Sequence, residues 1–81
     1  MEGIRTIINR LPQRELDIRR CSAHDASFRA ICADYDEAAK ARHHWQQASD
    51  QGDPAGARKV EDYTSLLNEL EQEILSYLDR A

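Results

Sequence analysis

Asp25-Ala-Ser-Phe-Arg-Ala-Ile-Cys-Ala-Asp-Tyr-Asp-Glu-Ala-Ala-Lys-Ala-Arg-His-His-Trp45 is the stretch that decides the fold. It holds neither glycine nor proline, so nothing interrupts the hydrogen-bond ladder of a helix. Phe28, Ile31, Tyr35, Ala38, Arg42 and Trp45 recur at alternating steps of three and four. That spacing keeps one stripe along one helix face, the seam of two helices packing at a shallow angle. Arg42 departs from the pattern in chemistry only, because its aliphatic stem covers apolar surface while the guanidinium reaches water. Cys32 and Ala39 widen the stripe. Ala26, Ala30, Ala33 and Ala41 form a second face. Either it admits another helix closely, or alanine is there as a good helix former at solvated positions.

Downstream, Val60, Tyr63, Leu67, Leu70, Ile74 and Tyr77 repeat the three-four spacing without a break. Ser49-Asp-Gln-Gly-Asp-Pro-Ala-Gly56 separates the two periodic runs. Gly52 suits a left-handed helix cap, and Pro54 follows closely enough to stop the first helix. The expected elements are a helix over about 23–48, a loop over about 49–57 and a helix over about 58–80. A loop of that length returns the chain antiparallel, as an all-α, coiled-coil-like hairpin. Trp45 then falls near Val60 and Tyr63, Tyr35 near Leu67 or Leu70, and Phe28 near Ile74 and Tyr77. Phe28, Ile31, Tyr35, Trp45, Val60 and Tyr77 are the expected core.

Leu66, Leu75 and Leu78 broaden the second stripe beyond what one neighbouring helix covers. Surplus apolar area of this kind marks an interface. The expectation is a homodimer, a four-helix bundle with Tyr63, Leu66, Leu67, Leu70, Ile74 and Leu78 as seam and dimer surface. The alternative is that the N-terminal segment folds back over the surplus.

That segment, residues 1–15, reads as a short amphipathic arm ahead of the hairpin domain of residues 16–81. Ile4, Ile7, Ile8 and Leu11 have helical spacing before Pro12. A helix this short needs something to lie on. Arg5, Arg10, Arg14, Arg19 and Arg20 crowd the region; a basic amphipathic arm suggests a membrane surface or an acidic partner, but Glu2, Glu15 and Asp17 dilute the charge and favour a solvated face. Leu16 and Ile18 extend apolar contacts toward Cys21 but are out of phase with the later seam, which places a bend near Cys21 to His24. Ser22 or Asp25 can cap the long helix, and an earlier start at Pro12 is equally legal.

With 81 residues the chain is one small domain, and a two-helix object of this size is marginal alone. A net charge of −4 argues against general nucleic-acid binding. No apolar run reaches membrane-spanning length, and Met1-Glu-Gly-Ile-Arg5 lacks the apolar region of a signal peptide, so a cytoplasmic location with reduced Cys21 and Cys32 is expected. On one continuous helix those cysteines would stand about 16 Å apart, at a rise of about 1.5 Å per residue. Cys21 and His24 lie one helical turn apart and His43 is a further candidate ligand, which leaves a metal or haem site across a dimer as the alternative function. No tetrahedral set is complete within one chain, so no cofactor is expected. Asp34, Asp36 and Glu37, and likewise Glu69, Glu71 and Glu73, read as solvated acids. No glycine-rich phosphate loop and no oriented nucleophile appear, so the expectation is a non-enzymatic interaction protein that self-associates and docks a protein partner.

Ile18-Arg-Arg20, Asp25-Ala-Ser-Phe28, Asp34-Tyr-Asp-Glu37, the Gly/Pro loop and Leu66-Leu-Asn-Glu-Leu-Glu-Gln-Glu-Ile74 together resemble the YdcH-like family of small bacterial proteins. The resemblance covers roughly residues 16–80, and its most specific part is Asp-x-x-Phe with Tyr-Asp-Glu following. The acidic run from Glu69 to Glu73 departs from the lysine-rich second helix common in that family. The resemblance implies a bacterial, cytoplasmic alpha-helical hairpin and no catalytic residues.

Overall fold

The computed structural model describes residues 2–80, and the side chains of residues 3–80. It is all-α: α1 (Glu2–Arg10), a 3-10 turn at Pro12–Arg14, α2 (Glu15–His24), α3 (Ala26–Asp50) and α4 (Pro54–Arg80). No strand occurs among the described residues. At about 1.5 Å per residue the 27 residues of α4 alone span most of the 44 Å long dimension.

α3 and α4 pack along each other in reversed order. Phe28 meets Tyr77 edge-to-face with ring centroids 5.8 Å apart, the Arg42 Nε donates to Thr64 Oγ1 at 2.8 Å, and Ser49 lies against Gly56. The connection is shorter than the sequence spacing implies, with only residues 51–53 outside the helices. Gly52, at φ 93°, ends α3. Its N–H donates to the Ser49 carbonyl at 3.0 Å and the Asp53 N–H to the Ala48 carbonyl at 3.0 Å, the paired bonds of a Schellman cap. Pro54 opens α4 instead of merely stopping α3, because a first-turn residue needs no N–H. The Asp53 carboxylate accepts the Ala55 N–H at 2.9 Å and satisfies one of the free donors there. Gly56 is buried for a different reason: a Cβ there would lie 2.6 Å from the Ser49 backbone nitrogen.

The long helix does not run back through Ser22. Asp25 takes an extended conformation, φ −134° and ψ 109°. Its N–H closes α2 on the Cys21 carbonyl at 3.0 Å, and its carboxylate opens α3 by accepting the Phe28 N–H at 3.1 Å. Of the candidate caps, Asp25 is therefore the one used, and α2 is a separate ten-residue helix. The Arg29 guanidinium reaches back to the Ser22 carbonyl at 2.6 Å and holds the turn. The 16 Å separation of the cysteines assumed one helix, and this break removes that premise; Cys21 packs against the cluster that contains Cys32.

α1 runs along α3 in the same direction, with Gly3 beside Ala33 and the Thr6 hydroxyl donating to Asp36. Ile7 and Leu11 enter the core with Ile18, Phe28, Cys32, Tyr35, Ile74 and Leu78. The arm and α2 thus cover much of the leucine surplus within one chain, since Leu78 is 3% exposed and Leu75 packs on the same cluster. Three sequence readings are corrected by this packing. Leu16 is 76% exposed at the elbow, because the turn at Pro12 rotates it away while Ile18 turns inward. Asp36 is buried under α1, where Thr6 and Lys40 hydrogen-bond its carboxylate and hold it below the usual carboxylate range. Glu71 is no free surface acid either, because Arg10 of α1 pairs with it at 2.7 Å.

Removing the Phe28 ring from a site with no exposure leaves a cavity that flanking helices cannot close. Phe28→Ala should lower the unfolding free energy by about 3–5 kcal/mol in urea denaturation. Gly56→Ala should cost about 1–3 kcal/mol by prying α4 from Ser49. Equal urea midpoints for Gly56→Ala and the parent would contradict the close approach.

Candidate interaction groove on α3 and α4

One face of the α3–α4 pair lies away from α1. α3 brings Asp34, Glu37, Ala38 and Ala41 to it at steps of three, one and three, so one helix face presents them all. α4 brings Tyr63, Leu66 and Leu70 by the same periodicity. Together they line an open groove of about 440 Å³. Ala38, 5% exposed, is its buried floor on α3 beside the half-buried Ala41, and Leu66 is its exposed ridge on α4. Leu66 is 40% exposed, while Tyr63 and Leu70 are half-buried. Besides Leu16, Leu66 is the large hydrophobic side chain most open to solvent among the described residues.

The expected interface residues divide between two environments. Ile74 and Leu78 lie in the core of the single chain, and Leu67 packs against that core from a half-buried position. Tyr63, Leu66 and Leu70 line the groove, and Leu70 also packs against the core from its half-buried position. Of the expected core, Phe28 and Tyr35 are buried; Ile31, Trp45, Val60 and Tyr77 are half-buried. Trp45 sits toward the loop end, with the Lys59 ammonium 5.8 Å from its ring centroid. Asp34, Glu37, Ala38 and Ala41 were not singled out as a lining set by sequence. Ala38 and Ala41 are buried and half-buried there, whereas Ala26, Ala30 and Ala33 of the other alanine face stay exposed.

Charge is distributed unevenly around the molecule. The ion pairs Arg10–Glu71, Arg14–Asp17, Arg14–Asp79, Arg19–Glu15, Arg20–Asp17 and Lys40–Asp36 all involve α1, α2, the turn between them or the α1 side of α3. The groove acids Asp34 and Glu37 are exposed and form no ion pair with any described residue. Asp62, Glu69 and Glu73 are likewise exposed acids of α4.

Cys21 is half-buried on α2, His24 is exposed at the end of that helix, and His43 is exposed on α3. Among the described residues no three His, Cys, Asp or Glu side chains converge as a metal site. Burial pushes the Cys32 thiol up to about 12, with the Cys21 thiol adding to the shift. No helix of the described residues is long and apolar enough to cross a membrane. No family model, curated protein or solved structure matches the chain.

The Cys32 shift has a definite sign. Its thiol ionises near 9.0 in an ordinary setting and near 12 in the fold. Over that interval the unfolded chain has released a proton that the folded chain still holds, so stability is full below pH 9 and falls as the pH rises toward 12. Burial raises Tyr35 in the same direction. The urea midpoint should decline across this window, and Cys32→Val should flatten the decline without abolishing it; parallel curves would contradict burial of the thiol.

Proposed function

We propose that this chain is a small, non-enzymatic helical interaction protein that docks a protein partner in the α3–α4 groove. The observation that carries the reading is a groove lined by α3 and α4, with the exposed Leu66 as its ridge and Ala38 and Ala41 as its floor. A ridge beside a valley is the shape that receives another helix, since knobs of one surface fill holes of the other. The groove is lined by alanines, leucines, a tyrosine and two carboxylates, with no nucleophile beside a base. The proposal includes an antiparallel α3–α4 hairpin as the rigid unit, a cytoplasmic location and kinship with the YdcH-like proteins, for which the motifs of residues 16–80 are the support.

Self-association is a second reading, favoured by one feature of the same face. Under a two-fold axis, the ridge of one copy lies over the valley of its partner, so the surface is complementary to itself. Two hairpins joined in this way form a four-helix bundle.

Light scattering over a concentration range separates the readings. Leu66→Glu should leave helix content unchanged and stability within about 0.5 kcal/mol, because the side chain is already exposed. It should abolish any dimer. Leu78→Glu, at 3% exposure, should instead unfold the chain. A parent that stays monomeric at every concentration overturns self-pairing and leaves docking standing. A Leu66→Glu variant as unstable as Leu78→Glu would show that Leu66 belongs to the core and would overturn both.

A further inference from the structure

The groove carries chemistry as well as shape, and the chemistry names its occupant. Asp34 and Glu37 stand on its α3 side with no ion-pair partner among the described residues, whereas the acids on the α1–α2 side are engaged by arginines. A second copy carries the same net charge of −4 and lines its own groove with no basic side chain, so like charge opposes its approach and Asp34 and Glu37 gain no counter-charge from it. A helix bearing lysine or arginine beside an apolar stripe meets no such repulsion and supplies the missing counter-charge. Residues 34–41 rise about 10 Å along α3, two turns of helix, which matches apolar side chains spaced i, i+3, i+7 on an incoming helix.

We propose that the α3–α4 groove takes a basic amphipathic helix of a partner protein, its apolar stripe against Leu66, Leu70 and Ala41 above the buried Ala38 and its cationic side chains against Asp34 and Glu37. The inference rests on the docking reading and adds the partner's chemistry to it. The acids steer the approach and select sign; the leucine ridge supplies the contact area. Complex formation therefore weakens as salt is raised, while the apolar contact persists.

The test uses the full chain and two synthetic peptides of about 18 residues, long enough to hold a helix on binding. Both carry the same leucine stripe. One is flanked by lysines, the other by glutamates. Binding is followed by fluorescence anisotropy of the labelled peptide at low and high salt. The lysine peptide should bind at least about tenfold more tightly than its glutamate sister. Asp34→Asn with Glu37→Gln should weaken it by about three- to tenfold, as for loss of two exposed ion pairs. Asp50→Asn with Glu61→Gln, which removes the same net charge outside the groove, should leave binding unchanged.

Equal affinity for the two peptides overturns the basic partner and leaves the groove as a docking surface. Binding that falls equally in both double variants shows attraction to net charge alone and also overturns the basic partner. Binding of neither peptide overturns the inference and the docking reading together. A dimer of the parent that Leu66→Glu dissociates would assign the groove to a second copy and overturn the basic partner.

Discussion

The carboxylate of Asp25 accepting the Phe28 N–H is the interaction on which the remaining architecture depends. It lets one helix end and another begin with no intervening loop, since Asp25 serves as the last partner of α2 and the cap of α3. A helix running straight from Glu15 to Asp50 would carry Ile18 away from the body of the molecule. The break turns α2 back instead, and the chain before it follows. Ile18, Leu11 and Ile7 then reach Phe28, Cys32, Ile74 and Leu78, and a pair of long helices with too little core of its own acquires a shared one. Arg10–Glu71 and Arg14–Asp79 fasten the same lap from its edges. Both are exposed enough that their role is registry more than stability.

This lap makes the two sides of the α3–α4 pair unlike. The α1 side is filled with apolar contacts, and Arg10, Arg14, Arg19 and Arg20 are paired with acids there. The opposite side keeps a shallow apolar groove and acids that find no counter-charge within the described chain. The proposed docking depends on that asymmetry, because a surface that satisfies itself offers nothing to a partner. The positions of Ala38 and Ala41 make the groove possible: larger residues there would fill the valley beside Leu66.

The two long periodic segments were legible because heptad spacing is a local, repeated signal, and both Phe28 to Trp45 and Val60 to Tyr77 carry it across several turns. Gly52 as a left-handed cap was legible for the same local reason, as φ 93° needs glycine. Less could be read where one residue has two legal uses. Pro54 can stop a helix or open one, and only the Asp53 cap and the contact of Gly56 with Ser49 decide it. Ser22, Asp25 and Pro12 competed as helix starts, and tertiary packing chose Asp25. The burial of Asp36 and the pairing of Glu71 were invisible because their partners, Thr6 and Arg10, are distant in sequence. Half of the candidate groove followed from the leucine stripe. Ala38 belongs to the α3 stripe read from spacing and Ala41 to the second alanine face, whereas Asp34 and Glu37 read only as solvated acids, since nothing local marks the groove they flank.

The most direct test of the account maps where a lysine-flanked amphipathic helix touches the folded chain, residue by residue, by amide chemical-shift perturbation in NMR. The account predicts that the shifts concentrate on Asp34, Glu37, Ala38 and Ala41 of α3 and on Tyr63, Leu66 and Leu70 of α4, while α1 and α2 stay silent. Perturbations centred on Ile4, Ile8 and Arg19 of the α1–α2 side would contradict it, because the surface that α1 and α2 present would then be the one that binds.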